Sequence, residues 1–414
     1  MDMSETDNRF KDFFYSALRL HTEINYKTIN ELYEKKAIDS YRELSDKETL
    51  ERLIKEDNGL SEETVTRITA LSDSYPKIET ITSEYLKIAE KYGIDVVSCE
   101  DENYPYNWKV QTGMPKVFYY KGKYKMLEDM VLKGSIAVVG SRDPSKYALY
   151  ATEQFCRDLG KKGITTVSGM ACGIDRQAHM ASVNTDGGTI AILAGGVDNI
   201  YPTQNKDLYD MIAKYGLIVS EMPPGQTPLR QYFPSRNRLI AGLSDCTLIM
   251  EAGACSGTLH TASFAANQGK EIFVLPNNIY YENALGGLKM LEDGANVLLN
   301  PESVIDSISQ ALMYKRITMG NNEDVYYRDF DKEEVGDKVG IEMLRTLAKE
   351  KPEDLDDDKW KLLIKDALTL KPLCTDEICK AMTLPVYKVT KLLTDLELNG
   401  TVCQEKGMYS LTFV

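Results

Sequence analysis

Six short loops hold the residues best placed for chemistry in this chain. They are Gly140-Ser141-Arg142, Ser168-Gly169-Met170, Ala194-Gly195-Gly196, Glu221-Met222-Pro223-Pro224-Gly225, Glu251-Ala252-Gly253 and Pro276-Asn277-Asn278. Each follows a short apolar run. Nearly all carry glycine or small polar residues, which let backbone N–H groups approach an anion closely. Where a helix follows, its N-terminus adds partial positive charge. One such loop is an ordinary tight turn, but five or six in one region describe a surface that holds phosphates.

Three segments sharpen this. Arg142 directly follows an apolar run, where its guanidinium can fork onto a phosphate. In LRQYFPSRNRLIAGLSD, Arg230, Arg236 and Arg238 cluster around Phe233. Guanidinium groups for phosphates and a ring for a base are what single-strand binding needs. The plainer alternative puts Phe233 in the core and pairs the arginines with Glu221 or Glu251. In EAGACSGTLHTA, Ser256, Gly257 and Thr258 precede a helix, so their N–H and hydroxyl groups either face an anion or cap that helix. The first loop does not match GxGxxG, so no dinucleotide cofactor is expected. Three scattered histidines (21, 179, 260) and eight cysteines without a CxxC pair offer no metal site. No catalytic set emerges: Ser168 lacks a base, His179 reads as a packing residue, and Asp175 reads as a helix cap.

The elements that must position these loops alternate strand, loop and helix. Candidate strands at 136–139, 165–167, 189–193, 217–219, 247–250 and 271–275 are short and β-branched, as buried parallel strands are. The fold class is therefore α/β, an extended Rossmann-like parallel sheet over 105–315 with a short extra strand at 117–120. It is preceded by a helical (SAM-like) domain over 1–104, in which Ser61 starts a helix. An acidic linker over 316–358, with one short helix near 341–348, leads to a compact tail over 359–414. There, three helices and a hairpin give the winged-helix order, with Val389, Leu392, Leu393 and Leu396 on one helix face.

The composition excludes some classes. Hydrophobic residues are 43%, enough for a core, and no apolar run is long enough for a membrane span. The polar N-terminus is no signal peptide, and the cysteines read as reduced thiols of a cytoplasmic protein. The net charge of −14 argues against a broad polyanion-binding face. Residues 131–310 carry 14 Lys and Arg against 17 Asp and Glu, so only −3 of that charge lies there. A phosphate site must then be a compact pocket.

Taken in order, GSR (140–142), TVSGMACGIDRQAH (166–179), AILAGGVDNIYPTQN (191–205), SEMPPGQTP (220–228), FPSRNRLIAGLSD (233–245) and EAGACSGTLHTA (251–262) resemble the DNA-processing protein A (DprA/Smf) family. The resemblance implies a homodimeric, non-enzymatic mediator that binds single-stranded DNA and loads the RecA recombinase on it in natural transformation and recombination. Single-strand-binding protein is a further implied partner. It places the DNA pocket on Gly140, Ser141, Arg142, Ser168, Gly169, Met170, Arg230, Phe233, Arg236, Arg238, Ser256, Gly257 and Thr258. Two features depart from the family. Its Pro-Gly after the sixth strand is here Pro276-Asn277-Asn278, where asparagine's tolerance of positive φ would keep the turn. Its Gly-x-Asn-x-Leu-Ile stretch is replaced by ALGGLKML. The competing class is a Rossmann-like phosphoribohydrolase of the LOG type, whose catalytic glutamate position is Thr261 here. The winged-helix tail either reads duplex DNA through Lys388 and Lys391 or contacts protein. The acidic residues Asp376, Glu377, Asp395, Glu397 and Glu405 favour protein contact.

Overall fold

The computed structural model describes residues 3–56, 59–254 and 256–320, and in the C-terminal region 360–361, 364, 373–375, 378, 386–399, 401–405 and 408–411. They fall in two units, 1–322 and 323–414.

The first unit opens with α1 (Met3–His21), α2 (Tyr26–Glu34), α3 (Lys47–Lys55) and α4 (Glu62–Tyr92). Ser61 caps α4 by accepting from the Thr64 N–H, and Gly93, at φ 62°, closes it in the left-handed region. The chain then forms β1 (Asp95–Ser98), α5 (Tyr106–Lys109), β2 (Val117–Gly122) and α6 (Lys125–Lys133). Strand β1 lies inside the stretch that the sequence reads as helical. Four residues are too few to show a period, and their pairing with β2 comes from distant chain.

The βα alternation follows: β3 (Ser135–Gly140), α7 (Lys146–Lys161), β4 (Thr165–Ser168), α8 (Ile174–Ser182), β5 (Thr189–Leu193), α9 (Lys206–Tyr215), β6 (Leu217–Ser220), α10 (Tyr232–Leu243), β7 (Cys246–Glu251), α11 (Thr258–Asn267), β8 (Ile272–Val274), α12 (Leu285–Glu292), β9 (Asn296–Val297) and α13 (Pro301–Gly320). All six expected strands are present. The nine strands form one sheet in the order β1-β2-β6-β5-β4-β3-β7-β8-β9. From β6 to β9 the pairs are parallel, while β1 and β2 add an antiparallel edge.

The period of two in β3 sorts its side chains to two cores. Ile136 and Val138 join Ala148, Leu159, Ile174 and Leu248. Ala137 and Val139 join Trp108, Leu239, Ile240 and Ile249. A third core merges the N-terminal helices with the sheet: Phe13, Leu18 and Ile68 share it with Tyr119, Leu193 and Ile218. The 105–111 connector docks on α10. The Trp108 indole donates to the Leu239 carbonyl at 3.2 Å, Gln111 to Gly242 at 3.2 Å and Asn107 to Leu243. Lys270 adds Nζ bonds to Ala241 and Gly242 at 2.7 and 2.8 Å. The orphan carbonyls that end a helix are thus satisfied by distant side chains, and this fixes α10 on the sheet.

In the second unit, β10 (Leu373–Cys374), α14 (Val386–Leu398), β11 (Val402–Glu405) and β12 (Met408–Leu411) are described. The strands pair antiparallel in the order β10-β12-β11. Val389, Leu392, Leu393 and Leu396 are buried on one face of α14, as their spacing requires. Lys388 lies over the Trp360 ring at 5.6 Å, and Lys361 pairs with Asp395 at 2.9 Å. The helix expected near 341–348 and most of the tail ahead of α14 lie outside the described residues. Among the described residues no helix is long and apolar enough to cross a membrane.

Candidate nucleic-acid interface

Strand β3 sits between β4 and β7, and the chain winds outward on both sides of it. This is the switch point of a doubly wound sheet, where ligands bind beyond the carboxyl ends of the strands. The 140–145 loop is tied there from two sides. Ser141 N–H donates to the Glu251 carbonyl at 2.8 Å, and the Ile174 N–H donates to the Ser141 carbonyl at 3.1 Å. The Glu251 carboxylate accepts from the Ser145 N–H at 3.1 Å and hydroxyl at 2.6 Å. Glu251 therefore organises the start of α7. Its neighbour Arg142 is exposed, with its guanidinium 5.7 Å from the Phe233 ring centroid. Among the described residues it forms no ion pair. Arg230 is likewise exposed, at the turn that leads into α10.

Arg236 points the other way. Only 6% exposed, it donates from Nη1 to the Gly169 carbonyl at 2.6 Å and to the Ile192 carbonyl, and from Nε to Asn237 at 3.2 Å. Burial pulls it down to about 10, with the charge of Asp175 acting against that fall and the charge of Arg142 adding to it. It stays charged at neutral pH. Arg238 is turned inward too, to Glu221 at 2.5 Å, and Arg19 of α1 takes the other oxygen of the same carboxylate. Burial works against the Glu221 charge, but the two arginines hold its carboxyl below the usual range. The alternative reading of the arginine cluster therefore holds for Arg238 through Glu221, while Glu251 serves Ser145 instead. Phe233 is half-buried at the surface rather than in the core.

The Ser168-Gly169-Met170 loop is shaped by these contacts. Ser168 is buried and donates to the Val138 carbonyl at 2.6 Å. A Cβ on Gly169 would lie 2.4–2.6 Å from three atoms of the Arg236 guanidinium. Met170 is left-handed, at φ 61°, and buried. Asp175 does not cap α8, whose N-cap is Gly173. It accepts instead from the N–H groups of Gly169 and Ala171, at 3.1 and 3.3 Å, and so bends the loop. Burial pushes the Asp175 carboxyl up, against the pull of Arg236 and the loop N–H groups.

The loop glycines separate into two kinds. A Cβ on Gly140 would meet Ile174 at 2.6 Å, one on Gly195 the Gln226 carbonyl at 2.9 Å, and one on Gly196 the Pro223 carbonyl at 2.6 Å. These glycines let loops pack on loops. Gly257 has nothing within 4 Å and Gly253 nothing nearer than 3.6 Å. Beside these two glycines there is room at the backbone. Ser256 and Thr258 bond each other at 2.9 Å, and the Ser256 hydroxyl also accepts from the Thr258 N–H at 3.2 Å, at the start of α11. Asn237 of α10 reaches the Gly257 carbonyl at 3.4 Å. At 276–278 neither asparagine adopts positive φ, contrary to expectation. The turn rests on side chains: Asn277 Oδ1 accepts from the Asn278 N–H at 2.7 Å, and Asn278 Oδ1 from the Tyr280 N–H at 2.9 Å. Thr261, at the position of the LOG glutamate, is buried in α11.

One residue at this surface was not singled out by the sequence. Tyr201, in the loop after β5, packs edge-on against Phe233, with centroids 5.5 Å apart and planes at 65°. The only sequence signal was an aromatic in a strand-end loop.

Two outcomes follow. Gly169→Ala should evict the Arg236 guanidinium and cost about 3 kcal/mol or more, since hydrogen bonds to a buried charge are lost; an unchanged urea midpoint would contradict this packing. His179 is fully buried. Its Nδ1 faces the Thr189 hydroxyl at 2.7 Å, and that hydroxyl donates to the Thr166 carbonyl at 2.9 Å. Nδ1 therefore carries the proton, and Nε2 is bare and without a partner among the described residues. Burial and the Arg236 charge lower the imidazole to about 3. In the unfolded chain it titrates near 6.5, so between about 6.5 and 3 the unfolded state binds more protons. Stability is full above 6.5 and falls as pH drops, by up to ~1.4 kcal/mol per unit. His179→Gln should flatten that fall between pH 6.5 and 5 in urea titrations; an equal slope would show that other groups cause it.

The DNA recombination-mediator protein A family matches residues 95–309, and the DprA winged helix domain matches residues 347–408. Protein Smf of Synechocystis is 34% identical over 334 residues, covering 78% of this chain and 82% of the relative. The DNA processing protein DprA of Bacillus subtilis is 33% identical over 237 residues, covering 57% and 77%. The X-ray structure of DNA processing protein A from Streptococcus pneumoniae gives a TM-score of 0.57 at 28% identity, over 72% of this chain and 98% of that one. The family match takes in more than half of the chain and all six strand-end loops, and the chain belongs to the DNA recombination-mediator protein A family.

Proposed function

We propose that this protein binds single-stranded DNA across the carboxyl ends of β3, β4, β5 and β7, and delivers it to a RecA-class recombinase in recombination and transformation. The observation that carries the reading is the exposed Arg142 guanidinium held over the half-buried Phe233 ring. It joins a cation for phosphate to a face for a base, the pairing that single-strand binders use. The thirteen candidate residues divide by role. Ser141, Arg142, Arg230, Phe233, Ser256, Gly257 and Thr258 meet the strand. Gly140, Ser168, Gly169, Met170, Arg236 and Arg238 build the floor behind them. A homodimer, contact with single-strand-binding protein and a cytoplasmic setting complete the proposal. The hydrolase reading finds no support here, since a threonine replaces its carboxylate.

Oligo(dT) binding followed by fluorescence anisotropy tests the site. Arg142→Ala should weaken binding and reduce the log–log salt slope by roughly 0.7, the share of one phosphate on a single strand. Its folding stability should match that of the wild type, whereas Arg236→Ala should lose stability as well as affinity. Equal affinity and equal slope for Arg142→Ala would refute the site. Delivery is tested separately, by RecA filament growth on strands coated with single-strand-binding protein. The protein should shorten the lag, and an unchanged lag would leave a binder without a loading role.

A further inference from the structure

We infer that Tyr201 is a second base-stacking residue, forming with Phe233 a two-ring platform that makes the site select single strands over duplex. This rests on the single-stranded DNA reading above.

Three groups meet at Phe233. Arg142, just past the end of β3, lies 5.7 Å from its centroid, and the Tyr201 ring, in the loop beyond β5, lies 5.5 Å from it. Tyr201 is 49% exposed and Phe233 half-buried. Scattered exposed apolar residues are ordinary on a protein surface. A cation and two rings in contact are not scattered: the loops after β3 and β5 and the first turn of α10 bring them together at the strand ends.

Spacing and angle decide what such a cluster accepts. Successive bases on a stacked strand rise 3.4 Å. The two rings are 5.5 Å apart with planes at 65°. Two neighbouring bases cannot lie flat on both rings and still stack on each other. They must be splayed, one to each ring, with a phosphate near Arg142. A single strand can do this at little cost. A duplex would have to unstack and unpair, which costs a few kcal/mol. The hydroxyl of Tyr201 makes no hydrogen bond among the described residues, so the ring is the part that matters.

The test compares oligo(dT) with an abasic strand of the same length, which has phosphates but no bases. The wild type should bind oligo(dT) more tightly. Tyr201→Ala should lose about 5-fold or more on oligo(dT), the low end for one stacked base, and nothing on the abasic strand. Tyr201→Phe should bind like the wild type. Tyr201→Leu keeps apolar bulk against Phe233 and guards against a collapsed loop, and it should behave like Tyr201→Ala. Wild-type affinity in Tyr201→Leu, or an equal loss on both strands, overturns the stacking role and leaves the single-strand reading intact. A wild type that binds both strands equally also overturns it. A wild type that binds neither removes the single-strand reading and this inference with it.

Discussion

The architecture of the strand ends depends on one buried cation. Arg236 is charged, almost fully enclosed, and bonded to carbonyls at the ends of β4 and β5. A buried charge is tolerated only when it is paired and its donors are used. Here the carbonyls use the donors, and Asp175 supplies the opposing charge from within the same loop. Several features become consequences of that arrangement. Residue 169 must lack a side chain. Met170 turns left-handed as the loop bends around Asp175. His179 stays neutral beside a positive group. The helix that carries Arg236 is held at a fixed height over the sheet, and Phe233, less than one turn earlier, is thereby fixed at the surface.

The candidate site thus has two layers with different physics. The inner layer is turned inward and paired: Arg236 on carbonyls, Arg238 and Arg19 on Glu221, Ser145 on Glu251. The outer layer keeps the guanidinium groups of Arg142 and Arg230 exposed and, among the described residues, without an ion pair, beside open space at Gly257. Binding sites hold their geometry when the supporting groups are locked by packing and hydrogen bonds of their own. Arg19 extends that support to α1, so the N-terminal helices contribute a charge to the back of the pocket as well as apolar surface to the sheet.

Much of this was legible in the sequence, for reasons that also explain the rest. Runs such as SIAVVG and CTLIME are apolar and end at glycine or acid, so the strands and their carboxyl-end loops could be read directly. The four leucine and valine positions of α14 declared its buried face. Local composition cannot report which way an arginine points. Arg230, Arg236 and Arg238 look alike in LRQYFPSRNR, yet one is exposed and two are turned inward, because the choice is made by partners 17 to 67 residues away. The same holds for the loop glycines. Gly169 and Gly257 are indistinguishable as letters, but one is filled by a guanidinium and the other faces open space. β1 was invisible because its partner strand alone makes it a strand, and Tyr201 was passed over because its neighbour Phe233 is 32 residues further along the chain.

Charge is the last constraint, and it shows why an aromatic supports the outer arginine. The chain is acidic overall, at −14, but exposed charges beyond about 8 Å are largely screened at physiological salt. What a phosphate meets is set by the few groups within that distance. Had Arg142 been held by a carboxylate, the pair would be neutral and the phosphate would first have to break it. The Phe233 ring orients the guanidinium through its quadrupole while leaving the charge and the in-plane N–H donors available. Glu221 and Asp175 meanwhile absorb the inner arginines, so positive charge that the fold needs for its own bracing does not spread over the surface. An acidic protein can in this way present a small cationic site beside an aromatic ring.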